Sequence, residues 1–506
     1  FAYSSEAAAI NTNFTFKDLQ VFPKTIDLEK NLIALHKLQL SDFTGRINLN
    51  TQAEADLIKL TTQTDQELQT EYLPWKFTAG QIRLLNSNLI YNNNTQAPLK
   101  SGMDYAHLNL QNLTLHGNDF LYNRDTIALV ISKGQMWEGS GFRLEQLQAG
   151  FQYTSREVRL EKLWMKTPGS TIRRRAIISY PSVAAIQKNP ALMGLNLDIE
   201  HSRIQVKDLL TFVPFLASQP AFKNPAAVFE LNTSMVGSLA RLNIRELQFS
   251  GFENTRADLS GTINTATDPD HFSVDLNIRQ LSTNRNDALL FVPPNSIPDS
   301  ITLPETMSLS GTVKGSAANL DADLDLSTPL GSAQVNGTIN NAARAQKAAY
   351  NATIAVQALQ VGTILQQPET LGSLSARFTV QGKGYDLKTA NVQAKGVVTS
   401  AVYNKYTYRD FQLDATLNKQ QFELRGGMKD PNLHFTVQAT GDLGGAYPAF
   451  AGSLNIDSIK TGPLHLTTDP IVYRGVIKAD VPALNLDSLN GHIYLLNSLL
   501  ISNNQR

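Results

Sequence analysis

Along most of the chain, apolar and polar residues alternate with a period of two. The cleanest run lies between Leu309 and Ile339, LSGTVKGSAANLDADLDLSTPLGSAQVNGTI. There Leu320, Ala322, Leu324 and Leu326 interleave with Asp321, Asp323 and Asp325. Successive side chains of a β-strand point to opposite faces, so this spacing predicts a strand with one dry and one wet face. Gly311, Gly315, Gly331 and Gly337 punctuate the run and predict turns between antiparallel neighbours.

The same grammar recurs. Leu147, Ala149, Phe151 and Tyr153 share one face of a predicted strand. Val158 and Leu160 share a face of the next, opposed by Glu157, Arg159 and Glu161. Phe378 with Val380, and Leu433 with Phe435 and Val437, repeat it. Asn92, Asn93 and Asn94 predict an exposed turn. Two stretches depart from the period. Thr51 and Glu54 have capping-box spacing before Ala55, Leu57, Ile58 and Leu60, which fits a short helix and a strand equally. Val206, Leu209, Leu210 and Val213 predict a short amphipathic helix cut at Pro214.

A longer repeat overlies the strands. Leu197-Asp198-Ile199, Leu276-Asn277-Ile278 and Ile354-Ala355-Val356 each open a segment of strand, helix or loop, then several strands; Leu454-Asn455-Ile456 opens a fourth. The expected organisation is one continuous array: an N-terminal part over 1–190, repeat units over 191–265 and 266–345, a unit with extra strands over 346–445, and the start of another over 446–506. At roughly 10–15 residues per strand and turn, some 35–50 strands are expected, in a sheet that must curl on its apolar face.

Composition narrows the function. Forty-four basic residues balance 44 acidic ones, which argues against a nucleic-acid binder driven by phosphate neutralisation. Cysteine is absent, which leans towards an oxidising compartment. No run approaches the ~20 apolar residues of a membrane-spanning helix. The chain begins at Phe1, so a processed or partial chain is expected, with any anchor or targeting segment outside it.

Three blocks carry a resemblance: the Leu309–Ile339 run, LEQLQAGFQYTSREVRLEKLWMKTPGSTI, and FTVQGKGYDLKTANVQAKGVVTSAVYNKYTYRDFQLDATL. Taken together along the chain, with the repeat, they resemble the AsmA-like superfamily, and within it the translocation and assembly module B (TamB) proteins of Bacteroidota. The resemblance implies a mostly β protein: a long repetitive antiparallel sheet curled into an elongated, half-closed, taco-like β-groove with a few short helices. It implies a periplasmic bridge of a Gram-negative envelope that holds phospholipid acyl chains and moves them between inner and outer membranes. It also implies a BamA-like outer-membrane barrel as partner in outer-membrane protein assembly, and an inner-membrane helix, absent from these residues. The candidate groove lining is Leu147, Ala149, Phe151, Val158, Leu160, Leu320, Ala322, Leu324, Leu326, Phe378, Val380, Leu433, Phe435 and Val437. Alternation alone leaves a filled β-core open, as in a structural or adhesive secreted β-solenoid.

No enzyme, cofactor or metal chemistry is expected. Asp321, Asp323 and Asp325 mimic the start of a calcium loop, but Leu326 stands where that loop needs Gly and Ser332 where it needs Glu. Asp268, Asp270 and His271 cluster in a turn without a recognisable ligand pattern. The eight histidines are scattered, and no GxSxG elbow or phosphate loop occurs. Arg173, Arg174 and Arg175 read as a solvated face, with contact to anionic lipid headgroups the minority reading.

Overall fold

The computed structural model describes residues 10–50, 75–182, 185, 189–268, 270–291, 297–342, 344–445, 447–483 and 490–502. The chain is mostly β, with 27 strands in one mixed sheet and a few short helices among the described residues. Strands are fewer than expected because they are longer; the longest has 18 residues. The capping-box segment at Thr51–Leu60 lies outside the described residues. The chain divides into two compact units: Phe1–Glu253 with Asn264–Pro269, and Asn254–Ile263 with Asp270–Arg506.

The first unit opens with β1 (Ile10–Thr15), β2 (Asp18–Asp27), β3 (Leu32–Ser41), β4 (Thr44–Leu49) and β5 (Lys76–Asn93). β1 pairs antiparallel with β4, and β2 with β3. β3 and β4 both pair with β5 in parallel, which corrects the expectation of an antiparallel sheet throughout. Parallel neighbours need a connection of about a dozen residues or more, and the stretch between Leu49 and Lys76 supplies it. The register is constant: Leu32 faces Lys76 and Leu49 faces Asn93. In a parallel pair, equivalent side chains stack directly. Asn92 Nδ2 donates to Asn48 Oδ1 at 2.9 Å and Asn94 Nδ2 to Asn50 Oδ1 at 2.7 Å. Asn92 and Asn93 therefore end a strand, where an exposed turn was expected. β6 (His107–Tyr122), β7 (Thr126–Glu138), β8 (Arg143–Thr154), β9 (Glu157–Lys166), β10 (Thr171–Ser179), β11 (Gly194–Gln205), β12 (Val228–Ser238) and β13 (Arg241–Gly251) follow, each antiparallel to the one before.

The expected helix is present as α1 (Val206–Phe212), directly after β11, with Val206 fully buried. Asp208 fastens it, accepting from Thr167 Oγ1 and Ser170 Oγ in the β9–β10 turn at 2.5 Å each. Two clusters of buried apolar side chains lie in this unit, one around Leu35, Ala79 and Ile82, the other around Met103, Phe142 and Leu144.

The second unit holds β14 (Thr255–Asn264), β15 (Ser273–Asn284), α2 (Arg285–Leu289), β16 (Thr306–Gly315), β17 (Asn319–Thr328), β18 (Gly331–Asn340), β19 (Ala349–Gln360) and α3 (Val361–Ile364). It continues with β20 (Leu371–Lys383), β21 (Asn391–Tyr403), β22 (Tyr406–Asn418), β23 (Gln421–Asp430), β24 (Leu433–Asp442), β25 (Ala449–Lys460), β26 (Ile471–Ala483) and β27 (Asn490–Ser502). From β15 to β27 every strand is antiparallel to the next. Gly311 and Gly337 sit inside strands, where turns were expected; a Cβ on Gly311 would lie 2.0 Å from the Asp323 carbonyl oxygen.

The four opening tripeptides fall on β11, β15, β19 and β25. Each of these strands is bulged just past its tripeptide: after Ile199, Ile278, Val356 and Ile456. A bulge inserts one residue and shifts the alternation. Leu281, three residues after Ile278, thereby stays on the same face and pairs with Leu309.

Candidate functional site

Register turns single alternating strands into continuous rows. Across the paired positions of β15 to β27, one row reads Ile278, Gly311, Leu324, Val335, Ile354, Phe378, Gly396, Leu413, Gly426, Val437, Leu454, Ile477, Leu495. Every position is apolar or glycine. The row through Leu326 continues likewise, through Ala333, Val356, Ala376, Val398, Phe411, Met428, Phe435 and Ile456. The rows through Leu320 and Ala322 keep the same character, the former reaching Phe450 and the latter passing Val380. At about 4.8 Å per strand, thirteen strands make an apolar band roughly 60 Å long in the second unit.

The next row belongs to the other face: Asn277, Thr312, Asp323, Asn336, Thr353, Thr379, Lys395, Asp414, Arg425, Gln438, Ser453, Lys478. Lys395 and Asp414 pair across strands at 2.9 Å, and Lys314 pairs with Asp275 at 3.2 Å in an adjoining row. Asp321, Asp323 and Asp325 all lie exposed on this side.

The apolar band of the second unit is not packed away. Val335 and Ile354 each keep 37% of their surface exposed, and Leu320, Leu324, Leu326, Phe378, Val380, Leu433, Phe435 and Val437 are half-buried. A filled core would bury such side chains almost fully. Ala322, at 9%, is among the few positions of the band that are buried. Aromatic rings keep the band low. Phe378 faces Gly396 and Phe422 faces Gly441, and a Cβ on either glycine would meet the ring at 2.2 and 2.4 Å. Each ring lies across its glycine rather than standing off the sheet.

In the first unit Leu147, Ala149 and Phe151 share a face of β8, and Val158 and Leu160 share a face of β9; Phe151 pairs with Leu160. Their row runs from Leu129 through Phe151, Leu160, Ala176, Leu197 and Met235 to Ile244. Burial is deeper here: Leu129, Ala149 and Ile244 are buried, and Leu147, Phe151, Val158 and Leu160 half-buried. The fourteen sequence candidates thus form two sets, five in one unit and nine in the other. The sequence-derived lining did not include Val335, Ile354, Leu413, Leu454 and Ile477, which only register joins to the band.

A concavity of about 1260 Å³ opens on the polar face of β18 to β24, among Gln334, Gln357, Arg377, Lys395, Asp414 and Arg425. A twisted sheet is saddle-shaped, so either face is concave along one diagonal. Arg174 pairs with Asp198 at 3.2 Å and Glu200 at 3.3 Å within the arginine triplet. No group of three His, Asp or Glu side chains suited to a metal occurs among the described residues, and no described helix is long and apolar enough to cross a membrane. No family model, curated protein or solved structure matches this chain.

Proposed function

We propose that this protein holds phospholipid acyl chains against its apolar sheet face, in a half-closed groove, and conducts them between the inner and outer membranes of a Gram-negative envelope. One observation carries the reading: four rows of apolar side chains, continuous over many strands and left half-exposed. Withdrawal from water scales with area and needs no fixed polar contact, so a chain can slide while it stays bound. Ten methylenes withdrawn from water contribute about 8 kcal/mol at about 0.8 kcal/mol each. A leaflet of about 15 Å, half the ~30 Å hydrocarbon core, is short beside a band of roughly 60 Å, so several chains fit in line. The proposal places the protein in the periplasm, anchored to the inner membrane through a segment outside these residues. A BamA-like barrel at the outer membrane is its proposed protein partner, with a role in outer-membrane protein assembly. A scaffold with a filled core, the alternative, is disfavoured by the exposure of Val335 and Ile354.

Native mass spectrometry of the purified chain, with lipid extraction, tests the reading. Several co-purifying phospholipids per chain are expected, depleted in Leu324→Arg and retained in Asp323→Lys. A well-folded, lipid-free wild type that takes up no lipid from vesicles would sink it.

A further inference from the structure

The concavity on the polar face has its own construction, independent of the apolar band behind it. Its central row reads Gln334, Ala355, Arg377, Val397, Gln412, Gly427, Thr436 across seven strands. Elsewhere in β17 to β24 this face carries polar residues, as in the row from Asp323 to Gln438. Here Ala355, Val397 and Gly427 replace them and leave an apolar floor between amide and hydroxyl groups. Three irregularities lie at one level beside it. Ala358 and Asp410 have φ of 50° and 56°, and an extra residue, Thr399, interrupts the β20–β21 register. Bulges bend a strand, and neighbouring strands irregular at one level form a hollow.

The charges around the hollow are unequal. Arg377, Lys395, Arg425 and Lys429 line it against Asp410 and Asp414. Lys395 is neutralised by Asp414, and Arg425 by Glu423. Arg377, in the central row, and Lys429, at the rim, are exposed and make no ion pair among the described residues, nor does Asp410, so the hollow keeps a surplus of one positive charge. Of the two ring residues that line it, Phe435 belongs to the apolar row behind and His434 pairs with Asp457 at 3.5 Å. Gln334, Gln357 and Gln412 each offer a donor and an acceptor, the pairing a peptide backbone needs.

We propose that this hollow is a second binding site, for an extended acidic peptide laid across the strands. Its backbone pairs with the glutamines, its small apolar side chains rest on Ala355, Val397 and Gly427, and its carboxylates meet Arg377 and Lys429. Seven strands span about 29 Å, the reach of an extended segment of eight or nine residues at about 3.3 Å each.

Fluorescence anisotropy of the full chain with a labelled nonapeptide alternating Glu with Ala and Val tests this. Saturable binding is expected, weakened at least tenfold by Arg377→Glu, by Lys429→Glu and by 0.5 M salt, and absent for the Lys-for-Glu peptide. Arg377 is exposed, so the variant folds, and circular dichroism checks it. No saturable binding, equal affinity of the Arg377→Glu protein, or equal competition by an acidic polysaccharide would overturn the assignment. Lipid occupancy, read on the same samples, is expected to be unchanged by Arg377→Glu.

Discussion

Leu324 and Asp323 are neighbours in the chain and face opposite environments. Leu324 is half-buried on the apolar band; Asp323 is exposed between Thr312 and Asn336. An arginine at position 324 can carry its charge to water from a half-exposed site. Leu324→Arg is therefore expected to cost about 1 kcal/mol or less, against the several kcal/mol of an unpaired charge in a filled core. Thermal melts of the two variants check this, with Asp323→Lys near wild type. Glu138 is the opposite case, a buried carboxylate. Burial pushes its pKa up, but hydrogen bonds from Ser140, whose amide donates at 2.7 Å, and from the Asn109 amide at 3.1 Å outweigh burial and hold it below the usual value. A depressed pKa means stability present above the unfolded value of about 4.3 and lost as pH falls through the folded one. Glu138→Gln should cost about 1–3 kcal/mol at pH 7, and less as pH drops below about 4 in urea titrations.

Strands gain their geometry from the elements that interrupt them. The bulge after Ile278 carries β15 towards α2, where Asp287 is almost fully buried. Its Oδ2 accepts from the Asn254 amide and from Thr255 Oγ1, both at 2.8 Å, so the helix holds the start of β14. Asp208 of α1 makes the equivalent contact with the β9–β10 turn. Asp287→Ala leaves that amide and hydroxyl without this acceptor, at a cost of about 2 kcal/mol. Hydrogen exchange should show faster exchange at Asn254 and Thr255, with the amides of β22 unchanged. Protection retained at Asn254 would mean that the clamp is incidental.

Among the described residues β2 pairs only with β3 and β27 only with β26, and the free sides of the two strands differ. β2 contains Pro23 and Lys24 and has irregular register at Pro23, devices that discourage further pairing. β27 has no proline and no Lys, Arg, Asp or Glu, and Ile493, Tyr494, Leu495 and Leu500 are more than half exposed on it. Such an edge templates another strand. Tyr494→Lys, on the polar-face row with Lys478, should lower concentration-dependent association in light scattering without changing the lipid count. Undiminished association would place the contact elsewhere.

Alternation by itself determined the fold class. A period of two at Leu320–Leu326 or Leu147–Tyr153 leaves each side chain one face to occupy, whatever the neighbours. Val206, Leu209, Leu210 and Val213, ahead of Pro214, likewise determined α1. What alternation could not supply was register. The i, i+3 spacing of Ile278 and Leu281 stays on one face only because a bulge intervenes, and the parallel pairing of β3 and β4 with β5 depends on contacts between distant residues. Residues such as Ile354 and Leu454 join Leu324 through pairings that no local pattern encodes. The hollow around Arg377 is likewise tertiary: Ala355, Val397 and Gly427 lie far apart in sequence and become one floor only when their strands align. Whether an apolar face is open or packed was also left to the tertiary structure, because exposure depends on what lies across from a residue and not on its neighbours in the chain.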